Sequence, residues 1–307
     1  MDADKIAAMK ILVTGASGFV GSSLIPFLTR HTHEVTRLVR NRPKTGAREI
    51  FWDPEVGKLD TTLLEGFDAV VHLAGENLSA GRWTKRRKQR ILESRVAGTR
   101  LLARALADLK QPPEVMVSTS AIGFYGDRGT EILHEESGPG TGFLADVCRQ
   151  WEQSADAAKG KGIRLVTLRM GMVLSAAGGV LPRMLTPFRI GVGGRVGDGT
   201  QFMSWIALDD LLEIILFACT QPSLRGAVNA VAPEPVTNLV FTQTLGRVLR
   251  RPAVMPVPVF AIRLIFGEMG EQLLLSGARV EPARLRAAGF RFRHPQLEAA
   301  LRHVLSA

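Results

Sequence analysis

Short apolar runs alternate with amphipathic stretches along the first half of this chain of 307 residues. Like buried strands, the runs are bounded by turn residues or charges, and they lie at 10–14, 35–39, 49–52, 69–73, 115–118 and 164–168. Apolar residues at helical spacing predict helices at 22–30, 85–109 and 144–159. Strands that alternate with helices in this way predict an α/β fold built on a doubly wound parallel sheet.

The pattern changes after residue 174. Glycines punctuate the stretch 178–199, and further helices are predicted at 207–220, 238–250, 260–275 and 297–305. A late strand at 228–232 is expected to return to the sheet. We therefore predict a Rossmann-type domain at 9–174 with a return around 206–232. The segments 175–205 and 233–307 are predicted to form a smaller, loop- and helix-rich C-terminal substrate lobe.

A glycine-rich turn joins the first strand to the first helix. Gly15 permits the tight turn, Gly18 lets backbone approach a pyrophosphate, and Gly21 lets the helix pack close to the strand. The amide dipoles of the helix then face the anion. This context predicts a dinucleotide site that comprises Gly15, Ser17, Gly18, Phe19, Val20 and Gly21.

The end of the second strand favours one cofactor over another. An acidic residue there would bind an adenosine ribose, but the chain has Arg40, with Arg42 close behind. A guanidinium can bind a 2′-phosphate bidentately and stack on adenine. The sequence therefore predicts NADP(H) rather than NAD(H), with Arg40 as a contact.

The carboxyl ends of later strands should border the same crevice. Small residues end the fourth strand, and hydroxyls end the fifth, where Ser120 is the best candidate for touching a substrate. Further cofactor contacts are predicted at Trp52, Leu73, Ala74, Gly75, Glu76, Arg95, Ser118, Met170 and Gly171. His72 has no second ligand nearby in sequence, so we expect a buried, hydrogen-bonded histidine and no metal site.

Composition limits the classes of molecule that the protein is expected to bind and the compartment in which it is expected to work. The formal net charge of +10 and the basic run 85–90 raise nucleic-acid binding as an alternative. The run has no interleaved aromatics beyond Trp83 and belongs to no nucleic-acid module, which favours a small, anionic substrate and no nucleic-acid partner. Cys148 and Cys219 are too few for a disulfide framework, and no apolar run reaches membrane-spanning length. A cytoplasmic protein without a membrane partner is expected.

In order along the chain, these motifs resemble atypical extended short-chain dehydrogenase/reductases called the epimerase family, whose members end in a C-terminal domain of unknown function. The resemblance rests on the glycine turn and on 74–78, 82–84, 94–99, 120–126, 148–152, 193–194 and 204–210, with 229–233, 251–252 and 289–290 in the closing domain. It implies NADP(H) binding in an extended short-chain fold and a homodimer built through paired helices.

Enzymes of this type normally use a tyrosine and a lysine four residues later to move the proton of the substrate. Against sugar-nucleotide epimerases, Leu144 and Cys148 take about those places, and four residues after the only tyrosine, Tyr125, stands Gly129. The proton must therefore come from another group. The catalytic candidates are Ser120, Tyr125, Glu76 and Cys148, and the substrate-binding candidates are Arg82, Trp151, Gln201 and Ser204.

Two functions remain open from the sequence. The first is an NADP(H)-dependent oxidoreductase or nucleotide-sugar-epimerase-like enzyme that acts on a small molecule. The second is a non-catalytic NADP(H)-binding protein that senses redox state or scaffolds a partner, which loss of the Tyr/Lys pair would permit. Fold alone does not choose between them.

Overall fold

The computed structural model describes residues 7–79 and 81–306. The strands of its central sheet and its short two-stranded ladders are, in chain order, β1 (Lys10–Thr14), β2 (Glu34–Val39), β3 (Glu49–Asp53), β4 (Lys58–Leu59), β5 (Ala69–His72), β6 (Val115–Ala121), β7 (Ile132–Leu133), β8 (Arg164–Met170), β9 (Met172–Leu174), β10 (Phe202–Met203), β11 (Trp205–Ala207), β12 (Gly226–Ala230), β13 (Val236–Thr237) and β14 (Arg279–Val280).

Ten α-helices are found in the described residues: α1 (Phe19–Arg30), α2 (Lys85–Ala107), α3 (Phe143–Ser154), α4 (Leu181–Arg189), α5 (Leu208–Thr220), α6 (Asn238–Leu249), α7 (Val259–Phe266), α8 (Glu268–Gly270), α9 (Ala283–Ala287) and α10 (Leu297–Ser306). Single 3₁₀ turns lie at Thr61–Leu64, Ile122–Tyr125 and Asp156–Lys161, and a π turn lies at Glu271–Leu275. None of the helices in the described ranges is both long enough and apolar enough to cross a membrane.

The central sheet has eight strands in the order β12-β8-β6-β5-β1-β2-β3-β4. Every neighbouring pair is parallel except β3 and β4, which form an antiparallel pair at one edge. The order reverses direction at β1, so the crevice between β1 and β5 is the topological switch point where such sheets bind ligands. The predicted α/β, doubly wound fold is confirmed, and the late strand does join the sheet as β12.

Two hydrophobic cores cover the two faces of the sheet. Ile11 and Val13 point into the core that contains α1 and α5, whereas Leu12 points into the core that contains α2. This alternation is the period-two pattern of a strand, and burial on both faces explains why β1 has no polar face.

Two predicted helices were wrong in extent. The helix predicted at 260–275 is three pieces, because Gly267 has φ +57° and ends α7. The helix predicted at 144–159 ends at Ser154 and continues as the 3₁₀ turn Asp156–Lys161. The ladders β9–β11, β10–β13 and β7–β14 hold the later segments together. The proposed domain boundaries stay a prediction.

Candidate functional site

The glycine turn presses against the end of β5. Gly15 has φ +68°, and a Cβ built there would lie 2.7 Å from the carbonyl carbon of Leu73 and 2.9 Å from the nitrogen of Ala74. A Cβ on Gly21 would lie 2.2 Å from the carbonyl oxygen of Gly15. No side chain fits at either position, so β1, the turn and α1 can come this close only with glycine.

The first turn of α1 is open at its amino end. Gly18 is the N-cap and supplies no side-chain hydrogen bond, and the first turn of the helix carries no acidic residue. Ser17 and Gly18 are exposed, and Val20 is half-buried. The Phe19 ring packs under the loop after β9, where a Cβ on Gly178 would lie 2.5 Å from the ring. Free amide groups and the helix dipole therefore meet solvent beside the end of β5.

Arg40 follows β2 at the same edge of the sheet. Its side chain is exposed, as is that of Arg42, and neither takes part in an ion pair anywhere in 7–79 or 81–306. Trp52 is more buried than a nucleotide contact would be. Its ring is 2% exposed and packs against Gly98 and, edge to face, against His72. Its cofactor role stays a prediction, with little ring surface to serve it.

A chain of hydrogen bonds runs beneath the crevice. The Thr14 hydroxyl oxygen accepts bonds from the amides of Leu73 and Ala74 and lies 2.8 Å from His72 Nδ1, while His72 Nε2 lies 2.8 Å from Thr99 Oγ1. The indole of Trp151 donates to the same Thr99 hydroxyl at 3.0 Å. His72 is therefore a satisfied core histidine, as expected, and burial lowers its pKa to about 4.

This lowered pKa gives a pH dependence. The unfolded chain takes up a proton on His72 below pH 6.5, whereas the folded chain resists it until about pH 4. Stability from this site is therefore complete above pH 6.5 and is lost as the pH falls to 4, by about 3 kcal/mol. The free energy of unfolding is measured by urea titration at several pH values between 4 and 6.5. It should fall less steeply with decreasing pH in His72→Asn than in wild type, and the exposed His31→Asn variant is the control. Equal slopes for wild type and His72→Asn would contradict this assignment.

The segment after β5 is held by arginines of α2. The Glu76 carboxylate pairs with Arg87 and with Arg90, the latter at 2.8 Å. The Arg95 guanidinium donates to the Glu76 carbonyl at 2.9 Å and lies over the Trp151 ring at 5.0 Å. Burial lowers the pKa of Arg95. With two arginines on its carboxylate, Glu76 is suited to fixing this segment, and its catalytic role stays a prediction.

The richest polar arrangement lies where β6 and β8 end. The Ser120 hydroxyl donates to Glu152 at 2.7 Å, and Arg169 binds both oxygens of that carboxylate at 2.9 Å each. Arg169 also donates to the Tyr125 hydroxyl at 2.9 Å, and that hydroxyl donates to Asn229 at 2.7 Å. The structure thus joins Ser120 and Tyr125, two predicted catalytic residues, through Glu152 and Arg169.

Sequence reasoning assigned no site role to Arg169, Asn229 or Glu135. Arg169 lies over the Phe124 ring at 3.5 Å and donates to the Glu135 carbonyl. Glu135 accepts bonds from the amides of Asn229 and Arg284, and its second carboxylate oxygen has no partner among the described residues. One signal was available, since Arg169 directly follows the buried stretch 165–168 of β8, and an arginine at such a position needs a buried partner.

Cys148, which the sequence comparison places near the position of the usual lysine, lies on α3. Its side chain is buried beside Gly123, and burial, then the nearby Glu152 carboxylate, raises the pKa of the thiol to about 11. A protonated thiol at neutral pH is a poor nucleophile or base. Tyr125 is likewise buried, and burial raises its pKa. Both catalytic roles stay predictions, and these observations weigh against them.

The predicted substrate residues do not converge. Arg82 donates to the last carbonyls of α7, at Ile265 and Leu264, and Trp151 is buried against Thr99. Gln201 donates to the carbonyls of Val196 and Leu274. The Ser204 hydroxyl, 1% exposed, donates to the Ala278 carbonyl. All four are used in internal contacts, and their substrate roles stay predictions.

The remaining predicted cofactor residues lie at the carboxyl edge of the sheet. Ser118 is buried opposite His72 in the β5–β6 pairing, and Met170 ends β8 opposite Ala121. Gly171 follows, with its amide bonded to the Ala230 carbonyl. These positions, together with the glycine turn and Arg40, outline one continuous edge of the sheet.

Comparison with known proteins identifies the family. The model of the NAD dependent epimerase/dehydratase family matches residues 11–230. The chain belongs to this family. A domain of unknown function, DUF1731, matches residues 257–304, as the resemblance implied for the closing domain.

Several similar family members span nearly all of the chain. An epimerase family protein of Mycobacterium bovis is 41% identical over 291 residues, which cover 95% of this chain and 96% of that protein. A solved structure of the human epimerase family protein SDR39U1 (isoform 2) with NADPH is 36% identical, covers 97% and 99% of the two chains and has a TM-score of 0.90. The nucleoside-diphosphate sugar epimerase of Corynebacterium glutamicum is 40% identical with a TM-score of 0.81, over 97% of this chain and 58% of that one. The predicted resemblance is confirmed.

Proposed function

We propose that this chain is an NADP(H)-binding enzyme of the extended short-chain dehydrogenase type, an oxidoreductase or epimerase acting on a small molecule. The observation that carries the proposal is the combination at one sheet edge of a turn in which only glycine fits, an uncapped α1 and the exposed Arg40. The turn and helix suit a pyrophosphate, and the guanidinium suits a 2′-phosphate.

The residues present fit the cofactor in shape and in charge. A cradle that a single Cβ would fill leaves backbone amides free for an anion, and no acid stands in the first turn of α1 to oppose it. The human relative was solved with NADPH, which supports the same nucleotide here. When bound, the nicotinamide supplies or accepts a hydride.

The Ser120, Glu152 and Arg169 arrangement supports a catalytic rather than a purely structural role. Glu152 keeps 16% of its side chain exposed, while Arg169 behind it keeps 6% and Ser120 is 1% exposed. Glu152 is thus the member that a substrate can meet. Ser120 and Arg169 fix its carboxylate, which can accept a hydrogen bond from a substrate hydroxyl. This group takes the place of the missing tyrosine and lysine in our proposal.

Titration with NADPH and with NADH, followed by nicotinamide fluorescence, tests cofactor binding. Arg40→Asp removes the guanidinium and adds a repelling charge, so NADPH affinity should fall about 100-fold, equal to roughly 2.7 kcal/mol. NADH affinity should not fall. The matched control is Arg30→Asp, which makes the same charge change at the other end of α1 and should leave both affinities unchanged. If neither nucleotide binds the wild type, the proposal fails.

A second measurement separates an enzyme from a redox sensor or scaffold. The protein with bound NADPH is mixed with a pooled extract of small metabolites, and NADPH oxidation is followed against a protein-free blank. Oxidation that requires the protein and that Glu152→Gln abolishes supports an enzyme. Tight NADPH binding with no oxidation by any pool would favour the sensor or scaffold.

A further inference from the structure

Large apolar side chains remain exposed on two segments of the C-terminal lobe. One segment is the turn after α4, and the other is the extended stretch before α7 together with α7 itself. Their exposed fractions range from 50 to 75%. We call the following six residues the α7 surface: Ile190, Val192, Val254, Met255, Phe260 and Leu264.

Backbone hydrogen bonds place the two segments side by side. The Met255 amide donates to Gly193 at 3.3 Å, and the Val257 amide donates to Arg195 at 2.8 Å. Helix α7 begins directly afterwards, and Phe260 and Leu264 lie one turn apart on its outer face. Ile262, on the other face of the helix, is 3% exposed. The helix therefore anchors itself with Ile262 and leaves a contiguous apolar surface outside, of the kind that marks an interaction site.

Arginines flank this surface. Arg189 and Arg195 border the first segment, and Arg250 and Arg251 precede the second; all four are exposed and none forms an ion pair with any residue that the structure describes. Acids close by are already engaged. Asp198 accepts bonds from Thr200, and Glu271 pairs with Arg263 of α7 at 2.8 Å. Asp198 keeps its negative charge and acts on Arg195, so it offsets one of the four arginines and a net positive charge remains beside the surface.

We propose that the α7 surface binds the surface of an anionic phospholipid membrane. In such binding, apolar side chains enter the boundary between headgroups and acyl chains, and arginines contact lipid phosphates. Six projecting apolar residues beside four free guanidinium groups match both requirements. The proposal goes against the expectation of no membrane partner, which rested on the lack of a long apolar run and did not address peripheral binding.

Charge and shape favour this partner over two others. A symmetric dimer through the same surface would bring the arginines of one copy towards those of the other, which is unfavourable. A protein partner would need matching pockets for these projecting side chains, such as Val254 at 75% and Leu264 at 72% exposure, whereas a bilayer accepts them without a matching shape.

Co-sedimentation with lipid vesicles tests the proposal. One set of vesicles is pure phosphatidylcholine, and in the other roughly a third of the lipid is phosphatidylglycerol. We expect at least about tenfold tighter binding to the anionic set, because anionic headgroups attract arginines near the membrane surface. Phe260→Glu with Leu264→Glu should remove that binding, and Arg189→Gln with Arg251→Gln should weaken it.

The matched control is Val56→Glu with Leu63→Glu. These residues are also exposed, at 74% and 52%, and lie near the β3–β4 edge of the sheet. The control adds the same two negative charges at a different place. If both double variants lose vesicle binding, the loss is explained by the net charge of the chain, and the proposal is overturned. Wild type that stays in solution with both vesicle sets would also overturn it. So would concentration-dependent dimerisation that Phe260→Glu with Leu264→Glu abolishes without any vesicle binding.

NADPH titration of every variant keeps this proposal separate from the proposed function. The α7 surface contains none of the residues assigned to the cofactor site, so all variants should bind NADPH within about threefold of wild type, a difference below roughly 0.7 kcal/mol. Unchanged NADPH binding with lost vesicle binding supports the lipid proposal alone. If the wild-type protein binds vesicles but does not bind NADPH, the lipid proposal stands and the proposed NADP(H)-dependent function is overturned.

Discussion

Gly15→Ala is expected to abolish measurable NADPH binding, with an affinity loss of at least about 100-fold, or roughly 2.7 kcal/mol. The added Cβ would lie 2.7 to 2.9 Å from backbone atoms of Leu73 and Ala74, and backbone atoms cannot rotate away as side chains do. The residue also has φ +68°, which alanine adopts at a cost of about 1–2 kcal/mol. Both effects displace the turn that is proposed to carry the pyrophosphate. NADPH fluorescence titration measures the loss.

Gly66→Ala separates the two effects. Gly66 has φ +76°, close to that of Gly15, but a Cβ there would meet nothing within 4 Å. This control should lose about 1–2 kcal/mol of unfolding free energy and bind NADPH normally. Should Gly15→Ala fail to fold, Gly18→Ala serves instead, because its Cβ would lie 3.1 Å from the Gly15 carbonyl oxygen without a positive φ. NADPH affinity of Gly15→Ala within threefold of wild type would show that the turn does not carry the nucleotide.

The order of strands and helices could be predicted because it depends on local pattern. β1 and β5 are short apolar runs bounded by charges or turn residues, and strands buried on both faces have that pattern wherever they occur. The glycine turn could be placed for the same reason, since its strand and its helix adjoin it in sequence. Helix ends were less accurate, because the break at Gly267 interrupts a run whose apolar spacing is otherwise helical.

The candidate site could be predicted only in part, because its contacts join residues far apart in sequence. Ser120 and Glu152 are 32 residues apart, and Tyr125 and Asn229 are 104 apart. Trp151 and Ser204 belong to motifs of the family, yet both are used in internal hydrogen bonds. A motif shows which residues belong together in sequence, whereas the direction of each side chain depends on the packing of the elements around it.

The sequence was also insufficient to predict which residues of α7 are exposed. Its residues are apolar in the sequence, and the spacing of Phe260, Ile262 and Leu264 gives no sign of which face is covered. Only the packed structure shows that Ile262 is buried while its neighbours project. Burial is therefore a property of neighbouring elements, and the sequence of α7 alone could not supply it.

Arg169→Met is expected to destabilise the protein by about 3 kcal/mol or more. The guanidinium is almost fully buried and makes four hydrogen bonds through three partners, namely both carboxylate oxygens of Glu152, the Tyr125 hydroxyl and the Glu135 carbonyl. Removing it leaves the Glu152 carboxylate without its cation in a largely buried position. Breaking a buried pair in this way typically costs about 3–5 kcal/mol. Urea unfolding at neutral pH measures the loss.

The comparison with an exposed ion pair and with a double variant identifies the cause. Arg48 pairs with Glu34 of β2 at 2.7 Å, and both side chains are exposed, at 60% and 51%, so Arg48→Met should cost below about 1 kcal/mol. Adding Glu152→Met to Arg169→Met removes the unpaired charge and should recover part of the stability. Glu152→Gln keeps the shape of the side chain and should preserve NADPH affinity while it abolishes substrate-dependent oxidation. If Arg169→Met costs no more than Arg48→Met, the carboxylate is solvated without its arginine, and Ser120, Glu152 and Arg169 do not act as one preorganised group.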